Sequence, residues 1–69
     1  MVNVNLLEAE TIKRGHSNRD VAVNALHISP QAYGKKRRKI SKFTTDDADK
    51  ICDYLDISDL VLRAQIFLA

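Results

Sequence analysis

One proline and two glycines in 69 residues give this chain few places to turn sharply. Most of its length must lie in helices joined by short turns rather than in a many-stranded sheet. A chain of this size supports one small domain with a modest core, here residues 1–69. Apolar residues make up 45% and charged residues 29%, a balance that suits a folded globule rather than a disordered tail. The expected fold class is all-α, a compact bundle of about five helices.

The periodicity places those helices. Leu6, Leu7, Glu8, Ala9, Glu10 and Lys13 are strong helix formers and predict a first helix over 3–14. Leu6, Ala9 and Lys13 mark one stripe on it, Leu7 to Ile12 a looser one, and Gly15 stops it. A second helix, about 18–26, starts at a cap from Ser17 or Asn18 and brings Val21, Ala22, Ala25 and Leu26 together. After a break at His27 and Ile28, Ser29 caps a third helix over about 30–38. Pro30 fills its first position, where a missing N–H costs nothing, and Tyr33 faces inward. Lys39 to Phe43 form a connector. Thr44 and Asp47 make a capping box for a fourth helix over about 45–55. Its Ala48, Ile51, Cys52 and Leu55 fall at i, i+3, i+4 and i+7, a core-facing stripe, while Asp46 and Asp47 suit the positive end of its dipole. Ser58 is expected to cap a last, strongly apolar helix over about 59–68.

Charge is distributed unevenly. Residues 1–42 carry nine lysines and arginines against Glu8, Glu10 and Asp20, a balance of +6; residues 43–69 carry Lys50 and Arg63 against six aspartates, a balance of −4. The basic half is the part a polyanion should meet. Six of its cations, Lys35, Lys36, Arg37, Arg38, Lys39 and Lys42, fall within eight residues, more than folding requires.

Helix 2, a short turn and helix 3 form a helix-turn-helix, in which the first helix braces the second so that its N-terminal turn can reach base edges in the major groove. Small or apolar residues at Ala22, Val23 and Ala25 would let helix 3 pack close, Ile28 would plug the turn, and Tyr33 would anchor helix 3 from beneath. The candidate DNA-contact set is Asn18 and Arg19 at the start of helix 2, Ser29, Gln31 and Ala32 at the start of helix 3, and Lys35, Lys36, Arg38, Lys39 and Lys42 behind them. The cations supply phosphate contacts and affinity. Gln31, whose amide can pair bidentately with adenine, is the candidate base reader.

The segments ALHISPQAYGKK and FTTDDADKICDYLDIS resemble the helix 2–turn–helix 3 stretch and the capped helix 4 of the lambda-repressor-like, Cro/CI-type helix-turn-helix family. The resemblance runs from about Asn18 to Ile57 and is nearest to small Cro-like regulators of temperate phages. It implies a five-helix bundle that binds a double-stranded operator as a dimer. It also exposes three departures. The small residue of helix 2 is Ala22 when read forward from Ser17 but Val23 when read back from Ile28, so either the turn is one residue longer or the tight position holds Val. His27 stands where the family usually has a left-handed Gly. Arg37 stands where a second apolar anchor of helix 3 is expected, leaving a short helix 3 or Ile40 in that role.

The last helix is apolar nearly all round, and so small a domain has limited core to cover it. Leu60, Leu62, Ile66, Phe67 and Leu68 form the candidate partner interface, for a second copy or for a repressor protein. Two functions follow: a Cro-type DNA-binding regulator in a phage genetic switch, or an antirepressor that keeps the fold and holds a partner repressor. An enzyme is not expected, because no nucleophile–base pair or phosphate-cradling loop is present. His16, His27 and Cys52 lack metal-ligand spacing, and no cofactor or small-molecule substrate is implied. Cys52 reads as a buried small hydrophobe. A single cysteine, no signal-peptide pattern and no membrane-length apolar run lead to the expectation of a reducing cytoplasm, that of a bacterial host by the resemblance.

Overall fold

The computed structural model describes residues 2–68; Met1 and Ala69, the last residue of the apolar tail, lie outside them. The described residues are all-helical, and five helices enclose one core. Helix α1 is Val4–Lys13. Helix α2 begins as an α-helical turn, Asn18–Asp20, and continues directly as a π-helix, Val21–Ala25. Helices α3, α4 and α5 are Pro30–Arg37, Thr45–Leu55 and Leu60–Phe67. No helix among the described residues is long and apolar enough to cross a membrane.

Side-chain caps set the starts. Asn3 accepts from the Leu6 N–H, and Ser29 from the Ala32 N–H. Ser17 with Asp20, and Thr44 with Asp47, close reciprocal capping boxes. The last helix differs from expectation: Asp59, not Ser58, caps it, its Oδ1 accepting from the Val61 and Leu62 N–H groups. A carboxylate so placed also meets the positive end of the helix dipole.

The ends of α1 to α4 share one device. A residue in the left-handed region follows the last turn, and the next N–H folds back to a carbonyl of that turn. Gly15 does this for α1 (φ 82), where no side chain opposes it. His27 (φ 55), Lys39 (φ 65) and Asp56 (φ 63) do it with side chains present, at a conformational cost of roughly 1 kcal/mol each. In α1, α3 and α4 the returning bonds run His16 to Thr11, Ile40 to Lys35 and Ile57 to Cys52, each spanning five residues. In α2 the bond runs from Ile28 to Ala22 and spans six.

That extra residue accounts for the two competing registers of helix 2. The π-helix absorbs one residue, its Leu26 N–H bonding back to Val21 instead of Ala22. Ala22 is therefore fully buried at the packing position, whereas Val23 is 42% exposed and takes no part in seating helix 3.

The core joins Leu7 of α1, Val21, Ala22, Ala25 and Leu26 of α2, Tyr33 of α3, the Ile51, Cys52 and Leu55 stripe of α4, Ile57, and Ile66 of α5. On α1 the buried stripe is Leu7, Glu10 and Thr11, with Ala9 and Ile12 outside. Of the expected Leu6–Ala9–Lys13 stripe, Leu6 packs against the edge of the core while Ala9 and Lys13 are exposed. Thr11 is accommodated because its hydroxyl donates to the Leu7 carbonyl at 2.8 Å, and Glu10 because it pairs with Arg14.

Candidate nucleic-acid interface

Helix α3 sits on α2 through Tyr33, which is 1% exposed. Burial pushes its phenol up to about 12, so the ring stays neutral and acts as an anchor. Four residues on, Arg37 keeps the same inward side. Its guanidinium lies 5.6 Å from the Tyr33 ring centre, a cation–π contact at the position where an apolar anchor was expected. Ile40 does not take over that role; it is 68% exposed. Helix α3 ends at Arg37, with Arg38 as its cap residue.

With Tyr33 and Arg37 inward, the opposite face carries Gln31, Lys35 and Arg38, at i, i+4 and i+7 and all exposed. Ser29 is exposed at the N-cap, and Ala32 is half-buried beside it. Lys39 and Lys42 are exposed in the connector. The connector is held to the last turn of α3, since the Ile40 and Ser41 N–H groups both bond to the Lys35 carbonyl, at 2.9 and 3.3 Å.

Lys36 departs from the predicted set. Its Nζ donates to Asp47 Oδ2 and to the Lys42 carbonyl, both at 2.9 Å, and its side chain is largely covered. Burial alone would raise the Asp47 carboxyl, but the bonds from Lys36 and from the Thr44 N–H outweigh it and hold the group below its ordinary value. Lys36 thus braces the connector against α4 instead of presenting charge outward. Sequence spacing could not show this, because it depends on where α4 docks.

At the start of α2, Arg19 is exposed and Asn18 half-buried. The Asn18 amide donates to Glu8 of α1 at 3.2 Å, so part of its polar capacity is spent inside the bundle. The predicted residues therefore divide. Ser29, Gln31, Lys35, Arg38, Lys39, Lys42 and Arg19 are exposed, while Lys36 belongs to the scaffold and Asn18 and Ala32 are half-buried.

No family model, curated protein or solved structure matches the chain.

The candidate partner interface divides in the same way. Ile66 is fully buried, and Leu62 and Phe67 are packed against the core. The expected outward role fails for Ile66 because α5 turns that residue onto α1, where the Asn3 N–H bonds to its carbonyl at 2.6 Å. The exposed apolar residues are Leu60 (77%), Val61 and Leu68 (79%). Arg63 pairs with Asp49 of α4 across the groove between them. That bond raises the guanidinium's pKa, so the charge at this end of α5 is balanced. Cys52 is buried, and burial pushes its thiol up. Among the described residues no cluster of His, Cys, Asp or Glu could hold a metal ion.

Proposed function

We propose that this protein is a DNA-binding transcriptional regulator of Cro type that reads a short operator as a dimer, in the setting of a temperate-phage genetic switch. The observation that carries this reading is the exposed Gln31–Lys35–Arg38 stripe on a capped helix braced from behind by Tyr33. It puts an amide near the N-terminal end, where base edges are read, and cations further along, where phosphates lie. The likeness of its helix 2–turn–helix 3 segment to the Cro/CI-type family supports the same reading, as does the left-handed turn at His27. The exposed Leu60, Val61 and Leu68 supply apolar surface for the second copy.

Lys35→Glu combined with Arg38→Glu is expected to abolish binding to DNA from upstream of the protein's own gene, with far-UV circular dichroism unchanged. Lys35→Ala alone removes one phosphate contact per copy and should flatten the salt dependence of a dimer's affinity by about two logarithmic units per decade. Anisotropy titrations of wild type and variants at several salt concentrations measure both; an unchanged affinity removes this face from the mechanism. A second reading, an antirepressor that holds a partner repressor, is favoured by the same exposed leucines. Co-purification of a neighbouring repressor with a chain that fails to shift DNA would select it.

A further inference from the structure

Residues 39–43 leave α3 along a path that needs holding. Lys39 turns in the left-handed region (φ 65), a conformation that its side chain opposes and that surrounding bonds must fix. Three attachments do so. The Ile40 and Ser41 N–H groups bond to the Lys35 carbonyl at 2.9 and 3.3 Å. The Phe43 ring meets Tyr33 edge-on at 5.9 Å and Phe67 at 6.3 Å. Between these, Lys36 Nζ donates to the Lys42 carbonyl and to Asp47 Oδ2, both at 2.9 Å. The same Asp47 oxygen accepts from the Thr44 N–H at 2.9 Å. One carboxylate therefore completes the capping box of α4 and ties it to the last turn of α3. The two side chains are 16% and 15% exposed. That cover separates them from the open Lys50–Asp46 pair and from surface pairs in general, which contribute little.

We propose that Lys36 and Asp47 are positioning residues for DNA. Their latch fixes residues 39–42 before DNA arrives, so that the exposed Lys39 and Lys42 meet phosphates without first being ordered. The inference rests on the DNA-binding reading and adds to it two side chains that are themselves largely covered. Charge and position predict opposite signs at Asp47. Removing its carboxylate makes the chain more cationic and frees Lys36 to reach a phosphate, which by charge alone tightens binding. The same change unties the connector, which by position weakens binding. The latch makes position the larger effect.

Wild type, Asp47→Ala, Lys36→Met and Lys36→Arg are titrated by anisotropy against DNA from upstream of the protein's own gene, well below their melting temperatures. Asp47→Ala and Lys36→Met are each expected to bind about tenfold more weakly, the cost of reordering a connector in each copy. Lys36→Arg, which can still donate to both oxygens, should bind like wild type. In the free proteins, heteronuclear Overhauser values should fall at residues 39–43 of the two weakened variants and stay unchanged in α1 and α2. If Asp47→Ala loses its helical circular dichroism, Asp47→Asn carries the same sign test, because it keeps an acceptor for the Thr44 N–H. Equal or tighter binding by the Asp47 variant, or a connector as rigid as in wild type, overturns this inference alone. A wild type that binds no DNA overturns the DNA-binding reading and this inference with it.

Discussion

Among single residues, Asp56 is the most informative. It ends α4 in the left-handed region (φ 63) and puts a carboxylate at the negative end of the helix dipole, so two unfavourable features coincide. Asp56→Gly is expected to stabilise the fold by about 1 kcal/mol, seen as a rise of roughly 4–8 °C in Tm for a domain this small. A fall in Tm would mean that the carboxylate has a stabilising partner. Asp47 and Asp20 set the acid response. Asp47 is held low against burial by Lys36 and Thr44, and Asp20 is held low chiefly by the Ser17 N–H. A carboxyl whose pKa is lower in the folded than in the unfolded chain binds fewer protons when folded. Its contribution is complete above the ordinary value of 3.8 and lost as pH falls through the folded one. The urea midpoint should drop as pH falls below about 4, and less steeply in Asp20→Asn/Asp47→Asn.

At the level of elements, the sequence showed where helices begin more clearly than how their faces are aimed. Ser29-Pro30, Ser17 and the Thr44–Asp47 box act through neighbours in sequence, so their roles could be read locally. The buried stripe of α1 could not, because Leu7, Glu10 and Thr11 look no more apolar than Leu6, Ala9 and Ile12; packing against the rest of the bundle decides between them. Lys36 was misplaced for the same reason, its fate being set by α4. The register of α2 was visible as a conflict between Ala22 and Val23, and its resolution needed the backbone. Since the π-helix stores one surplus residue, deleting Val23 should let α2 relax to ordinary i→i+4 bonding and keep a cooperative thermal transition, with a loss below about 2 kcal/mol. Deleting Asp49 from α4 should abolish that transition. It turns Ala48 by about 100° from Ile51, Cys52 and Leu55. Melts followed by circular dichroism compare the two.

For the whole molecule, surface is the main issue. The bundle measures 28 × 24 × 20 Å, and a body so small leaves part of α5 uncovered. Phe67 is a poor place to probe association, because it also supports the core. Leu60 and Leu68 are the better sites, being exposed. Leu60→Asp with Leu68→Asp is expected to turn a dimer into a monomer in sedimentation equilibrium without loss of helix; a monomer before and after the change would leave association to another surface.

The single thiol has a use of its own. Cys52 sits 4% exposed on the core-facing stripe of α4, with its proton held more tightly than in a free cysteine. An alkylating reagent can reach it only when α4 lifts from its neighbours, so the speed of labelling is a built-in clock for that opening. Without any engineered tag, the same clock would slow when a bound ligand, operator or second copy clamps the bundle shut.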